Sequence, residues 1–185
     1  IGFSISPQVT IGDTNINNET KLLDSTGNLN TTLLGPAVYD SDYQNFKSNV
    51  HLIHKLDSKG QDISVDLDYL RFKSEVEQSF KNSFFNASDI LISEENLLNQ
   101  LPQEINIYTG KVDYTLPIGE AAKLELGGKV GLVKTDSDAQ FFDKIGGQLV
   151  LNTSLSNRFK YEENVNAGYV NYSQMFGRLV FQGGV

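Results

Sequence analysis

Ile63-Ser64-Val65-Asp66-Leu67-Asp68-Tyr69 alternates apolar and polar residues at every step. On a β-strand successive side chains point to opposite faces. Ile63, Val65, Leu67 and Tyr69 therefore share one face, and Ser64, Asp66 and Asp68 share the other. One side seeks an apolar environment while the other carries two carboxylates. Such a strand suits a soluble sheet with one wet face. It equally suits a transmembrane β-barrel, apolar toward lipid and polar toward an aqueous lumen.

The same period recurs on both sides of this stretch. Ile1, Phe3 and Ile5 alternate with Gly2, Ser4 and Ser6, and Val50, Leu52 and Leu56 share a face. Tyr108, Val112, Tyr114 and Leu116 stand against Thr109, Lys111, Asp113 and Thr115. Leu124, Leu126, Val130 and Leu132 stand against Lys123, Glu125 and Lys129. Phe159, Tyr161, Val165, Ala167 and Tyr169 stand against Lys160, Glu162 and Asn164, and Leu179, Phe181 and Val185 repeat the scheme. Tyr108, Tyr114, Phe159, Tyr161, Tyr169, Tyr172 and Phe181, near strand ends or on the apolar face, read as an interfacial girdle. Connections choose between the two architectures. Asp57–Gly60, Pro117–Ala121 and Ser173–Gly177 are short, whereas the polar stretches Asp24–Tyr43, Lys73–Glu104 and Asp136–Leu151 are long. Outer-membrane barrels alternate in this way, with short periplasmic turns and long extracellular loops, and compact soluble domains rarely hold such loops. One helix is expected in the longest loop, over Ser93–Leu101, capped by Ser93 and stopped by Pro102.

Composition narrows the function. With 185 residues, no cysteine and a net charge of -8, the chain has no disulfide framework and no basic surface for nucleic acid. No apolar run approaches the length of a membrane-spanning helix, which does not count against strands. The chain opens on Ile-Gly-Phe-Ser and closes within an alternating segment, so it reads as part of a longer protein. No nucleophile motif, phosphate loop or metal-binding helix motif occurs, and no enzyme and no cofactor are expected. His51 and His54 fall on opposite faces of one strand and cannot share a metal as a strand pair. Asp40-Ser41-Asp42 and Asp136-Ser137-Asp138 read as acidic loop tips, and the Asn-x-Ser/Thr triplets as products of Asn-rich composition. Asp66 and Asp68 read as a solvated face rather than as the acid pair of a glycosidase.

Tyr108-Thr109-Gly110-Lys111-Val112-Asp113-Tyr114-Thr115-Leu116-Pro117, followed by Leu124-Glu125-Leu126-Gly127-Gly128-Lys129, resembles a hairpin of the outer-membrane β-barrel family related to TonB-dependent receptors. Phe159–Tyr169 is similar to a further strand of that family, and Leu179–Gly184 to the next, without the Arg and Glu that usually follow. The likeness runs from about residue 43 onward. It implies a barrel of about 22 strands. It also implies a plug domain, coupling to the TonB system and import of a bulky nutrient.

These readings give an all-β fold, an antiparallel up-and-down transmembrane barrel segment over residues 1–185 with about seven or eight strands and no plug domain. Its location is the outer membrane of a Gram-negative cell. Asp66, Asp68, Lys111, Asp113, Glu125, Lys129, Lys160 and Glu162 are the candidate lumen-facing residues. The expected partners are outer-membrane lipid, the chain's own plug domain, the TonB system, and an extracellular lipoprotein or the nutrient ligand. The competing readings are a small soluble ligand-binding β-barrel and an outer-membrane structural or adhesion protein without transport.

Overall fold

The computed structural model describes residues 1–185. It contains nine strands and no helix: β1 (Gly2–Leu23), β2 (Leu29–Lys55), β3 (Asp62–Asn86), β4 (Leu91–Gln100), β5 (Gln103–Ile118), β6 (Ala122–Ile145), β7 (Gln148–Leu151), β8 (Asn157–Phe176) and β9 (Leu179–Gly184). All pairings are antiparallel and fall within one sheet.

Two of the strand divisions are local breaks. β3 pairs with β5 from Asp62 to Ser74 and with β4 from Glu77 to Phe84 in one continuous register, which shifts at Phe85. The break falls at Leu101–Pro102, where proline offers no N–H to the ladder. The Leu101 N–H still reaches the Val76 carbonyl at 2.8 Å. Likewise β7 and β8 both run along β6, parted by residues 152–156. There the Asn152 side chain accepts the N–H groups of Ser154 and Leu155, and Ser156 Oγ accepts the N–H of Phe141. Nine strands thus follow seven paths. β1 at one flank and β8–β9 at the other have no further neighbour.

The segments expected as long loops are strand. Residues 24–43 hold a tight turn and most of β2. Residues 73–104 hold the second half of β3, the turn 87–90, β4 and the start of β5, while 136–151 hold the end of β6, the turn 146–147 and β7. The connections at this end are therefore as short as those at the other. Gly146 and Gly147 both have positive φ, which a two-residue hairpin turn requires. The helix expected over Ser93–Leu101 is absent. Leu97 and Leu98 sit in β4, where Leu97 pairs with Phe80 on one side and Asp143 on the other. Ladder bonds on both edges outweigh the weak intrinsic preference of a nine-residue segment. Asp40, Asp42, Asp136 and Asp138 lie inside strands, so they are not loop tips.

No second layer covers the sheet. Only Ala37, Thr32, Ser74, Ser83 and Asn99 are buried, and four of these five are polar. The accessible area is 12739 Å², against about 8,900 Å² for a compact monomer of this mass. The 129 backbone hydrogen bonds, 116 of them within the sheet, hold the wall together. A soluble barrel or sandwich would hide its apolar face in an interior, and this chain has none.

Candidate functional site

The register assigns each side chain to one of two faces. The first face carries Phe3, Ile5, Pro7, Val9 and Ile11 on β1, and Val50 and Leu52 on β2. It continues through Ile63, Val65, Leu67 and Tyr69 on β3, then Tyr108, Val112, Tyr114 and Leu116 on β5. Leu124, Leu126, Val130 and Leu132 extend it on β6, and Val170 and Tyr172 on β8. Phe3, Val9 and Ile11 are at least 63% exposed. This is a continuous apolar belt, and Tyr69 and Tyr108 stack at its upper edge with ring centres 4.9 Å apart.

The belt runs obliquely. Leu132 tops it on β6, and the row through Leu132 passes Tyr108, Tyr69 and Ser48 to reach Ile5 on β1. On β1 the belt continues to Ile11, six residues higher. Six residues are about 20 Å of strand, and four inter-strand steps are about 19 Å, so the strands cross the belt at about 45°. Outer-membrane barrels tilt their strands by a similar angle.

The opposite face at belt height is ionic. His51 Nδ1 lies 2.6 Å from Asp66 Oδ1. Asp68 accepts hydrogen bonds from Asn49 on β2 and Thr109 on β5, which brace both its oxygens. Lys111 pairs with Asp113 at 2.7 Å, and Lys123 with Glu125 at 2.6 Å. Lys129 stands directly across from Lys111. Tyr169 reaches over from β8, donates to Asp113 and offers its ring to Lys111 at 5.7 Å. It lies over Gly127, where any Cβ would run into the ring. A glycine is therefore required there to let an aromatic cover the neighbouring strand. His54 faces the belt side, away from His51.

Asp66, Asp68, Lys111, Asp113, Glu125 and Lys129 thus share the inner face. Lys160 and Glu162 do not, which corrects their assignment. They point outward, Lys160 to Asp136 at 3.3 Å and Glu162 to Lys134 at 3.5 Å. Correspondingly Phe159, Tyr161 and Tyr169 point inward and leave the girdle, while Tyr108, Tyr114, Tyr172 and Phe181 remain on the outer face.

The physical reason is that the sense of the sheet inverts above the belt. On β3 the apolar face passes from Tyr69 to Leu70, Phe72, Val76, Phe80 and Phe84, while Arg71, Lys73, Glu75, Glu77 and Lys81 turn outward. Tyr39 meets Phe80 edge-on and Tyr43 stacks on Phe72 on the inner side. Outside, Arg158 grips Asp136 through two hydrogen bonds of 2.9 and 2.7 Å, and Arg71 binds Glu104 at 2.9 Å. The Arg158 bonds hold the Asp136 carboxyl at about 2. Asp40 is pushed upward, chiefly by desolvation and next by Asp13 across the ladder. Where lipid ends the outer face meets water, so charge moves outward.

A family model described as the outer membrane protein beta-barrel family matches residues 54–185, more than two thirds of the chain. No curated protein matches it. The belt, its tilt and the single-layered sheet agree with that match, and the protein belongs to the outer membrane β-barrel family.

Proposed function

We propose that this wall belongs to a TonB-dependent receptor that imports a bulky nutrient, with a plug domain seated against the inner face. The chain itself does no chemistry in this reading. The observation that carries it is the ionic inner face at belt height. Ten charged or ionisable groups lie there, from His51, Lys55 and Asp62 to Lys129; His51 pairs with Asp66 across two strands, and Lys111–Asp113 and Lys123–Glu125 pair along single strands. A narrow barrel would fill its lumen with its own side chains. The resemblance to a barrel of about 22 strands implies a wide lumen. A wide lumen needs an occupant to keep the membrane sealed, and polar residues fixed on the wall suit one. Long strands that rise outside the membrane would form the vestibule where the nutrient is first held.

The test uses the full-length receptor in cells. Asp66, Asp68, Lys111, Asp113, Glu125 and Lys129 are neutralised singly and in pairs, and uptake is measured with and without the energy-coupling system. The expected result is altered, coupling-dependent uptake with normal assembly in the outer membrane. Collapse of the barrel, or uptake indifferent to energy coupling, would overturn the reading. A structural or adhesive protein without transport is the second reading, and the height of the sheet outside the membrane favours it. That reading expects no plug domain in the intact protein.

A further inference from the structure

We infer that the inner wall above the belt binds a neutral, polyhydroxylated ligand, an oligosaccharide, between two pairs of aromatic rings. The inference rests on the import reading only in making that ligand the nutrient. Tyr43 and Phe72 lie side by side on β2 and β3, with ring centres 6.3 Å apart and planes 29° apart. Phe159 and Tyr161 on β8 repeat the arrangement at 6.3 Å and 10°, and both are exposed. The ladder places the two pairs in the same two inner rows. One row runs Phe72, Ile105, Thr135, Tyr161, and the other Tyr43, Ser74, Gln103, Ser137, Phe159. From Tyr43 to Phe159 the second row crosses about 19 Å of wall, room for several linked sugar rings rather than one.

Charge singles out this part of the wall. From the row of Phe72 to the row of Gln78, the inner face from β2 to β8 carries no Asp, Glu, Lys, Arg or His. Charge borders the zone on both sides, as Lys47 and Glu163 in the row of Leu70 and as Asp143 in the row of Phe80. The outer face of the same strands, at the same height, holds Arg71, Lys73, Lys134, Asp136 and Lys160. A wall that only met water on both sides would have no reason to sort charge in this way.

The floor between the ring pairs decides the ligand class. A charged ligand would give up hydration there and meet no counter-charge. A purely apolar one would cover the Gln103 amide and the Thr135 and Ser137 hydroxyls without bonding them. A sugar chain suits both kinds of surface. Its C–H faces cover the rings, and its hydroxyls bond groups that donate and accept. The wall's own side-chain hydrogen bonds in this zone lie higher, from Ser41 to the Gly12 carbonyl at 2.9 Å and from Asn99 to Gln78 at 3.4 Å. The plug of the import reading would seat on the ionic rows below, which leaves these rows open to a ligand.

The test applies the full-length receptor, in a detergent without a sugar headgroup, to three immobilised probe sets. These are neutral glucans, xylans, mannans and fructans; oligomers of galacturonic acid; and uncharged peptides. The expected result is retention by a neutral glycan and by neither of the other sets. Phe72→Ala/Tyr161→Ala should weaken that binding by about tenfold or more. Gln103→Glu, which keeps the side chain's shape and adds one charge to the floor, should weaken it by a similar factor, while Arg71→Gln on the outer face should leave it unchanged. Assembly of each variant is read by the heat-dependent mobility of the folded barrel, and Gln103→Glu decides by itself if the ring variant misassembles. Retention by no neutral glycan, retention by the acidic oligomers or the peptides, or binding indifferent to Gln103→Glu would overturn the inference. Uptake separates it from the import reading. Energy-coupled uptake of a charged nutrient, with no glycan bound, would sink this site alone, whereas a bound glycan whose uptake ignores energy coupling would sink the import reading alone.

Discussion

Gly127→Ala is the sharpest probe of the wall, because the change is one methyl group and its consequence is worked out from a single contact. The new Cβ occupies the place of the Tyr169 ring. The ring must swing away, and overpacking of this kind costs about 1–3 kcal/mol. In moving, Tyr169 gives up its hydrogen bond to Asp113 and its position over Lys111. A hydrogen bond to a charged acceptor is worth about 1.5–3 kcal/mol, and the cation–π contact about 0.5–1 kcal/mol. Asp113 keeps Lys111 at 2.7 Å, so its carboxylate is not orphaned and the smaller figures apply. The total expected loss is about 3 kcal/mol. Tyr169→Phe keeps the ring on Gly127 and removes only the hydroxyl, at a cost of about 1.5 kcal/mol. The informative comparison is the double variant. Once Tyr169 is Ala, the three atoms nearest the methyl at 127 are gone, so Gly127→Ala should then cost close to nothing. Denaturant titration of the full-length barrel in lipid, read by the mobility difference between folded and unfolded forms, gives all four corners of the cycle. Additive costs, with no coupling beyond about 0.5 kcal/mol, would refute the reasoning.

Three further outcomes follow from the faces and charges. Leu67→Arg places a cation on the lipid side and should destabilise the barrel by about 2–4 kcal/mol, whereas Asp66→Arg, one residue away on the inner face, should not disturb membrane insertion; folding titrations of both variants check this. Cysteines at Lys160 and Glu162 should react with a membrane-impermeant maleimide on whole cells, while one at Lys129 should be shielded whenever the lumen is occupied; equal labelling of all three would contradict the face assignment. Asp136 is depressed to about 2 by Arg158, so its contribution is complete above the ordinary 3.8 and fades as pH falls toward 2. Asp40 is raised, so it opposes folding once ionised, and Asp40→Asn should slow amide exchange in the neighbouring part of β1–β3 at neutral pH. Exchange measured across the acid range separates the two signs.

The belt was legible in the sequence because lipid imposes period two over a whole crossing. Ile63–Tyr69 and Leu124–Leu132 each read correctly on both faces. The continuation above the belt was not legible for a physical reason. Residues 29–43 and 73–100 are rich in Ser, Asn, Gln, Asp and Glu, the composition of a loop. What makes them strand is pairing with partners far along the chain, such as Asp40 with Glu77 and Leu97 with Phe80. No local pattern reports such pairs. Lys160 and Glu162 failed for a related reason. Their strand alternates cleanly, but the rule that apolar means lipid holds only within the belt. The belt's tilt leaves Arg158–Glu162 above it, while Val170 and Tyr172 on the same strand lie within it.

Each long strand therefore answers to two solvents. At Tyr69 and Leu70 adjacent residues are both apolar, which breaks the alternation and looks like noise in isolation. In register with Tyr108 and Ile107 it repeats on the next strand, Tyr108 outward and Ile107 inward, and on β6 Leu132 and Val133 do the same. Three neighbouring strands switch faces on one line, between the row of Tyr69 and the row of Leu70. Chance would scatter the switches along the strands. Over three strands a row of a sheet tilted by about 45° climbs about 7 Å, so the three switches mark the edge of the hydrocarbon to within that height. Paired apolar residues that interrupt an alternating strand, aligned across a ladder, thus mark where a barrel leaves the membrane even when no aromatic girdle is complete.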